Sequence, residues 1–324
     1  MPSSLRRTLI QLVLAVTPVA TSGCFISNGH DCFEDKTRTF RVTEPPPMAL
    51  EMLVRACEAD ANTCNELCER VLLDAQAYGS FRGCIVRHDA TGHDLTITYE
   101  VSTGNSGCPV EGRRPPGLKR CRPRRSTIAG AHLARAAHFE AASVYAFVGM
   151  ARELARHGAP AALIEAARVA AIDEVRHAGI VGELARARGA EPAQVDVAPP
   201  RRRSLEALAI ENITEGVVGE TWAALIAYWQ AQNASDPALR ATYAQIADDE
   251  LRHAELAREV AAWAAAKLRP AARARVRLAQ RRSVARLARG VKRGAPAALI
   301  RDLGMPAPAQ MQTLFAGARR ALWT

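Results

Sequence analysis

The chain has 324 residues, 48% hydrophobic and 23% charged, with a formal net charge of +10. This composition excludes a disordered or polytopic membrane protein and suggests about two domains. The charge is uneven, with seven Lys or Arg in 113–125 and eleven in 267–293, the latter without an acid. Aromatics are only 5% and no nucleic-acid motif accompanies these runs, so they are read as solvated basic faces and no nucleic-acid partner is expected.

At the N-terminus, Arg6 and Arg7 precede an apolar run from Leu9 to Ala20. The run is too short to span roughly 30 Å of hydrocarbon but suits a signal-peptide core. The "ATSGCF" that follows resembles a bacterial lipobox: Ser22, Gly23 and Cys24 fit, while Thr21 departs from the usual Leu. The resemblance implies a signal peptide over 1–23, acylation of Cys24 and a lipid anchor in the bacterial cell envelope. Phe25 after the cysteine then favours the outer membrane. Ordinary cleavage, giving a periplasmic or secreted protein with a free Cys24, is the alternative.

All eight cysteines lie between Cys24 and Cys121. In a secreted chain such a stretch reads as a small disulfide-stapled domain, here α+β over 24–111. A helix is expected from Met48 to Ala77, and "TRTFRVT" and "LTITYEV" alternate as strands. "RHDATGHD" reads as a hairpin turn; His88, His93, Asp89 and Asp94 can be metal ligands there, but turn polarity explains them more cheaply. Residues 112–127 are rich in Pro and Arg and read as a basic linker.

Beyond it the chain becomes alanine-rich with helical periodicity, and four helices are expected over 129–157, 160–188, 204–233 and 236–268. "HGAP" ends the first and "SDP" opens the last. Two connections are short. The third, about fourteen residues, reaches about 46 Å when extended, enough to run the length of a helix of about 44 Å. Residues 128–268 therefore read as a four-helix bundle with one long crossover.

Asp-Glu-x-Arg-His-Ala occurs twice in this region, at 173–178 and 249–254. Steps of three and four along the second and fourth helices place Glu174, His177, Glu250 and His253 on otherwise apolar stripes. A buried carboxylate needs partners, and the matching stripes of the first and third helices offer Glu140 and Glu215. The spacings Glu140–Glu174 and Glu215–Glu250 agree to within one residue, so the bundle reads as a duplicated hairpin. Asp173 and Asp249 are read as acceptors of the distal N–H of the histidine from the other motif, with Arg176 and Arg252 pairing to those aspartates; exposed i,i+3 helix pairs are the alternative.

Four glutamates and two histidines in this arrangement resemble the ferritin-like di-iron carboxylate superfamily, with spacing similar to bacterioferritin and rubrerythrin. The resemblance covers about 129–265. It implies two iron ions, with manganese as the alternative, held by Glu140, Glu174, His177, Glu215, Glu250 and His253. As in rubrerythrin-like sites, it implies Glu211, one turn before Glu215, as an extra ligand. It also implies an envelope oxidoreductase that oxidises Fe(II) or reduces O₂ or peroxide. Two other readings stay open: a non-catalytic metal-binding or envelope-interaction lipoprotein, and a di-iron oxygenase of an organic substrate. The basic amphipathic tail, 269–324, can pack on the bundle, lie on an anionic membrane or mediate assembly.

Overall fold

A computed structural model describes residues 4–16, 33–43, 46–48, 50–60, 63–74, 80–89, 91–102, 113–119, 126–199 and 202–323. Cys24 and the lipobox lie outside the described residues. The protein is mainly helical, with one small antiparallel sheet. It divides into two compact units: His30–Ser106 with Arg125–Ile128, and a helical unit of Met1–Gly29, Gly107–Arg124 and Ala129–Thr324.

The first helix, α1 (Ser4–Leu14), belongs to the helical unit. The small unit contains β1 (Phe33–Thr43), α2 (Glu51–Ala59), α3 (Cys64–Asp74), β2 (Ser80–Asp89) and β3 (Gly92–Ser102). The strands pair in the order β1-β3-β2. Alternation sends Val42, Leu95 and Ile97 into a core with Val54, Leu67 and Val71. On the opposite face Thr37 and Thr39 meet Thr98 and Thr96, their hydroxyls 3.2 and 3.3 Å apart. Gly92 closes the β2–β3 turn at φ 144°, where a Cβ would lie 2.2 Å from the Val42 carbonyl oxygen. The helix expected over Met48–Ala77 is broken. Asp60 is extended, and Thr63 turns back to its carbonyl through both N–H and hydroxyl; such residues compete with helix by local bonding. Disulfides join Cys57 to Cys64 and Cys68 to Cys84, tying α2 to α3 and α3 to the sheet.

The helical unit continues with α4 (Ile128–Arg156), α5 (Ala161–Arg186), α6 (Leu205–Glu211), a π-helical segment (Asn212–Glu220), α7 (Thr221–Asn233) and α8 (Pro237–Lys267). Gly158, at φ 68°, ends α4. Ser204 caps α6, and Asp236 with Pro237 opens α8. One apolar core draws Phe147 and Leu154 from α4, Leu163 and Ala170 from α5, Leu208 from α6, and Leu256 and Val260 from α8.

The tail forms α9 (Pro270–Arg293), α10 (Ala297–Leu303) and α11 (Pro308–Leu322). α9 packs on α6 and the π segment, α11 on α9 and α1, and α1 on α7 and α8. Among the described residues no helix is long and apolar enough to cross a membrane. Part of the expected linker is structure of another kind. Residues 117–119 bridge to 196–198 of the α5–α6 connection, and Arg113 is 1% exposed.

Candidate metal centre

Straight α-helix carries the repeated motif inward on two elements. On α5, Asp173, Glu174 and His177 are buried, and on α8 so are Asp249, Glu250 and His253. Glu140 on α4 is buried as well. Two overlapping groups result, Glu140, Glu174, His177 and Glu250 in one, Glu174, Glu220, Glu250 and His253 in the other. Within each, one ligand atom per residue lies within 4.8 Å of all the others. Glu174 and Glu250 belong to both.

The structure replaces Glu215 with Glu220. Glu215 is only partly buried, and its Oε2 accepts from the backbone N–H of Arg114 at 3.4 Å. Glu220, 1% exposed, takes the inward place. The reason is the π segment, whose turns are one residue wider than α-turns, so a stripe drawn in steps of three and four loses register across it. Thr214 donates to the carbonyls of both Ile210 and Glu211. Buried Asn212 donates to the Ala257 carbonyl at 2.7 Å and accepts from Arg113 at 3.0 Å. Glu211 is not in the cluster either; its carboxylate pairs with Arg113 and Arg203.

Two aspartates orient the histidines. His177 Nε2 lies 2.9 Å from Asp249, and His253 Nε2 lies 3.4 Å from Asp173, each pair crossing between α5 and α8. Arg176 and Arg252 each contact both aspartates. With Nε2 turned outward to the aspartates, the Nδ1 atom of each histidine faces the interior. That side is bare. Both oxygens of Glu140, Glu174 and Glu250, Oε1 of Glu220, and Nδ1 of both histidines lack a hydrogen-bond partner among the described residues.

Burial pushes Glu140 and Glu220 well above the usual carboxylate range, and like charge on Glu174 and Glu250 adds to it. Burial, then Glu250, raises Glu174 to about 8. Glu250 stays low: burial opposes its charge, but His177 and His253 outweigh it. For His177, burial is likewise outweighed by Asp249 and Glu250, which raise it to about 11. Without a cation, Glu140, Glu174 and Glu220 are thus pushed toward the protonated form, while Glu250 stays ionised beside a cationic His177.

Arg113 was not legible as part of this neighbourhood. Its guanidinium stands 5.3 Å from the Phe147 ring, and its charge lowers Glu220 against burial. Its setting among Pro and Arg made it look like linker, and no local pattern marks it for burial.

The chain matches no protein-family model, no curated protein and no solved structure. The buried Glu and His groups nevertheless can hold metal on their chemistry alone.

Proposed function

We propose that the helical unit is a ferritin-like four-helix bundle with one long crossover, binding two divalent ions, iron or manganese, in the cluster of Glu140, Glu174, His177, Glu220, Glu250 and His253. The observation that carries this reading is the set of buried carboxylate and imidazole atoms, without a hydrogen-bond partner among the described residues, in two groups that share Glu174 and Glu250. Such atoms cost several kcal/mol each unless paired, protonated or bound to metal. Four carboxylates balance two divalent charges, and one imidazole in each oxygen-rich set suits Fe or Mn better than thiolate-seeking metals. Glu140, Glu174, His177, Glu220, Glu250 and His253 would hold the ions, Glu174 and Glu250 being common to both groups.

Bound iron would supply one-electron chemistry toward O₂ or peroxide, and the reaction we propose is Fe(II) oxidation in the bacterial envelope. The protein's part is to hold ligands and exclude water. Asp173 and Asp249 fix the imidazole tautomers, and Phe147, 4.9 Å from the His253 ring, closes the apolar side. Envelope location and acylation of Cys24 rest on the sequence at 6–25 alone.

The test uses the full chain, because Arg113 and Arg114 contact the residues flanking the site. Anaerobic Fe(II) titration is expected to give two equivalents, and mixing with O₂ or peroxide a rise in ferric absorbance faster than free Fe(II) in buffer. Glu174→Ala, which removes a shared ligand, is expected to lose both equivalents. Two equivalents retained in that variant, or oxidation no faster than in buffer, would overturn the reading.

A further inference from the structure

The β2–β3 turn of the small unit carries two histidines and two aspartates, and the fold sorts them apart. Arg41 on β1 takes both aspartates, at 2.5 Å to Asp89 and 3.0 Å to Asp94. Its guanidinium, with Thr91, holds the Asp89 carboxyl well below the usual range. The aspartates are therefore occupied with a fixed cation.

The histidines face something else. His88 and His93 are direct partners across the hairpin, so their side chains share one face of the sheet. Their Nδ1 atoms are 2.5 Å apart, with the rings edge to face. His93 is 3% exposed, whereas His88 is exposed. Near them stands Glu58 on the last turn of α2, its Oε1 3.5 Å from His93 Nε2. The Cys57–Cys64 disulfide anchors that turn one residue away. One ligand atom from each of Glu58, His88 and His93 lies within 4.8 Å of the other two.

We propose that Glu58, His88 and His93 bind a single divalent cation of the zinc, nickel or copper class. Two Nδ1 atoms at this separation are satisfied only by one positive centre held between them, a shared proton or a metal ion that displaces it. A cation there satisfies both. Glu58, now beside the outward Nε2 of His93, is exposed and turns in to complete the two-imidazole, one-carboxylate set known for zinc, with water filling the shell. Metal–nitrogen bonds of about 2.0–2.1 Å at a tetrahedral angle put the two nitrogens roughly 3.3 Å apart. Opening by less than about 1 Å is within reach of the exposed His88 side chain. The bound ion would tie α2 to the hairpin. It would be separate from the helical cluster in residues, in unit and in metal preference.

The test compares full-length wild type with His88→Ala and Glu58→Gln after chelator stripping, using Zn(II) alone as probe. Calorimetric titration is expected to show one fewer equivalent in His88→Ala and at least tenfold weaker binding of that equivalent in Glu58→Gln. Glu174→Ala, which disables the helical cluster, is expected to retain it. A second measurement needs no variant: Zn(II) is expected to slow amide hydrogen exchange at 84–97 and at the end of α2. Equal stoichiometry and affinity in wild type and His88→Ala, or unchanged exchange in those segments, would overturn the proposal and leave an imidazole–imidazole hydrogen bond.

Discussion

Glu215 and Glu220 share one continuous helical stretch, yet one accepts from Arg114 near the surface and the other is buried with Glu174 and Glu250. Replacing them separates a ligand from a neighbour. Glu220→Ala removes a carboxylate that belongs to one group alone, and one of two metal equivalents is expected to go. Glu215→Ala is expected to keep both, with stability lowered by about 0.5–1.5 kcal/mol for the hydrogen bond from Arg114 that it removes. Metal analysis after dialysis decides it, and the opposite pattern would restore Glu215 as the ligand. A second residue-scale effect concerns pH. Burial, then the charge of Arg135, holds His132 down at about 4, against about 6.5 when unfolded. The unfolded chain therefore takes up a proton that the folded one refuses. This contribution to stability is fully present above about pH 6.5 and is lost as the pH falls from there toward 4. His132→Gln is expected to unfold less steeply with acid across that window in urea titrations; parallel curves for the two proteins would rule the effect out.

At the scale of elements, what could be read depended on whether a helix kept its period. α4, α5 and α8 are regular, so Glu140, Glu174, His177, Glu250 and His253 could be placed on inward stripes from spacing alone, and the structure brings them together. The third stretch changes hand-over at Asn212, because polar side chains there bond to the backbone and to α8, and nothing in a three-four pattern signals it. "TEGVVGE" held the clue in its two glycines and its second glutamate. Likewise Asp60 and Thr63 broke a helix whose apolar spacing ran on past them. Gly216 shows why the π segment has the sequence it has. A Cβ there would lie 2.7 Å from the Ala257 Cβ and 3.1 Å from both Arg113 Nη1 and Asn212 Oδ1. At Gly219 the nearest atom, the Thr214 carbonyl oxygen, is 3.6 Å away. Gly216→Ala is expected to destabilise by about 1–3 kcal/mol through overpacking. Gly219→Ala is expected to be neutral or stabilising by up to about 1 kcal/mol, because alanine loses less backbone entropy in a helix. Urea unfolding followed by circular dichroism compares the two, and equal midpoints would mean the α8 contact yields freely.

For the whole molecule, the question is what the basic tail contributes. Its charge suggests an appendage, but its contacts are those of a cover. Leu299, Leu303, Leu314 and Phe315 are buried. Trp323 donates to the Val217 carbonyl in the π segment at 3.3 Å, and Gln230 of α7 donates to the Leu303 carbonyl at 2.9 Å. Phe315 meets the Trp222 ring edge-on at 6.1 Å. The prominent ion pair, Arg275 with Glu206, sits at the surface, where such pairs are worth about 0–1 kcal/mol. Apolar burial at about 1.5–3 kcal/mol per large side chain outweighs it. The two contributions separate by experiment. A chain ending at Leu268 is expected to unfold at a markedly lower denaturant concentration, to bind a hydrophobic dye, and to hold metal more weakly because Val217 and Trp222 lose their cover beside Glu220. Arg275→Ala in the full chain, or moderate salt, is expected to shift the midpoint only slightly. If instead the truncated chain unfolds where the full chain does, or salt alone reproduces the truncation, the tail's role is electrostatic, and its packing on the π segment contributes little to stability.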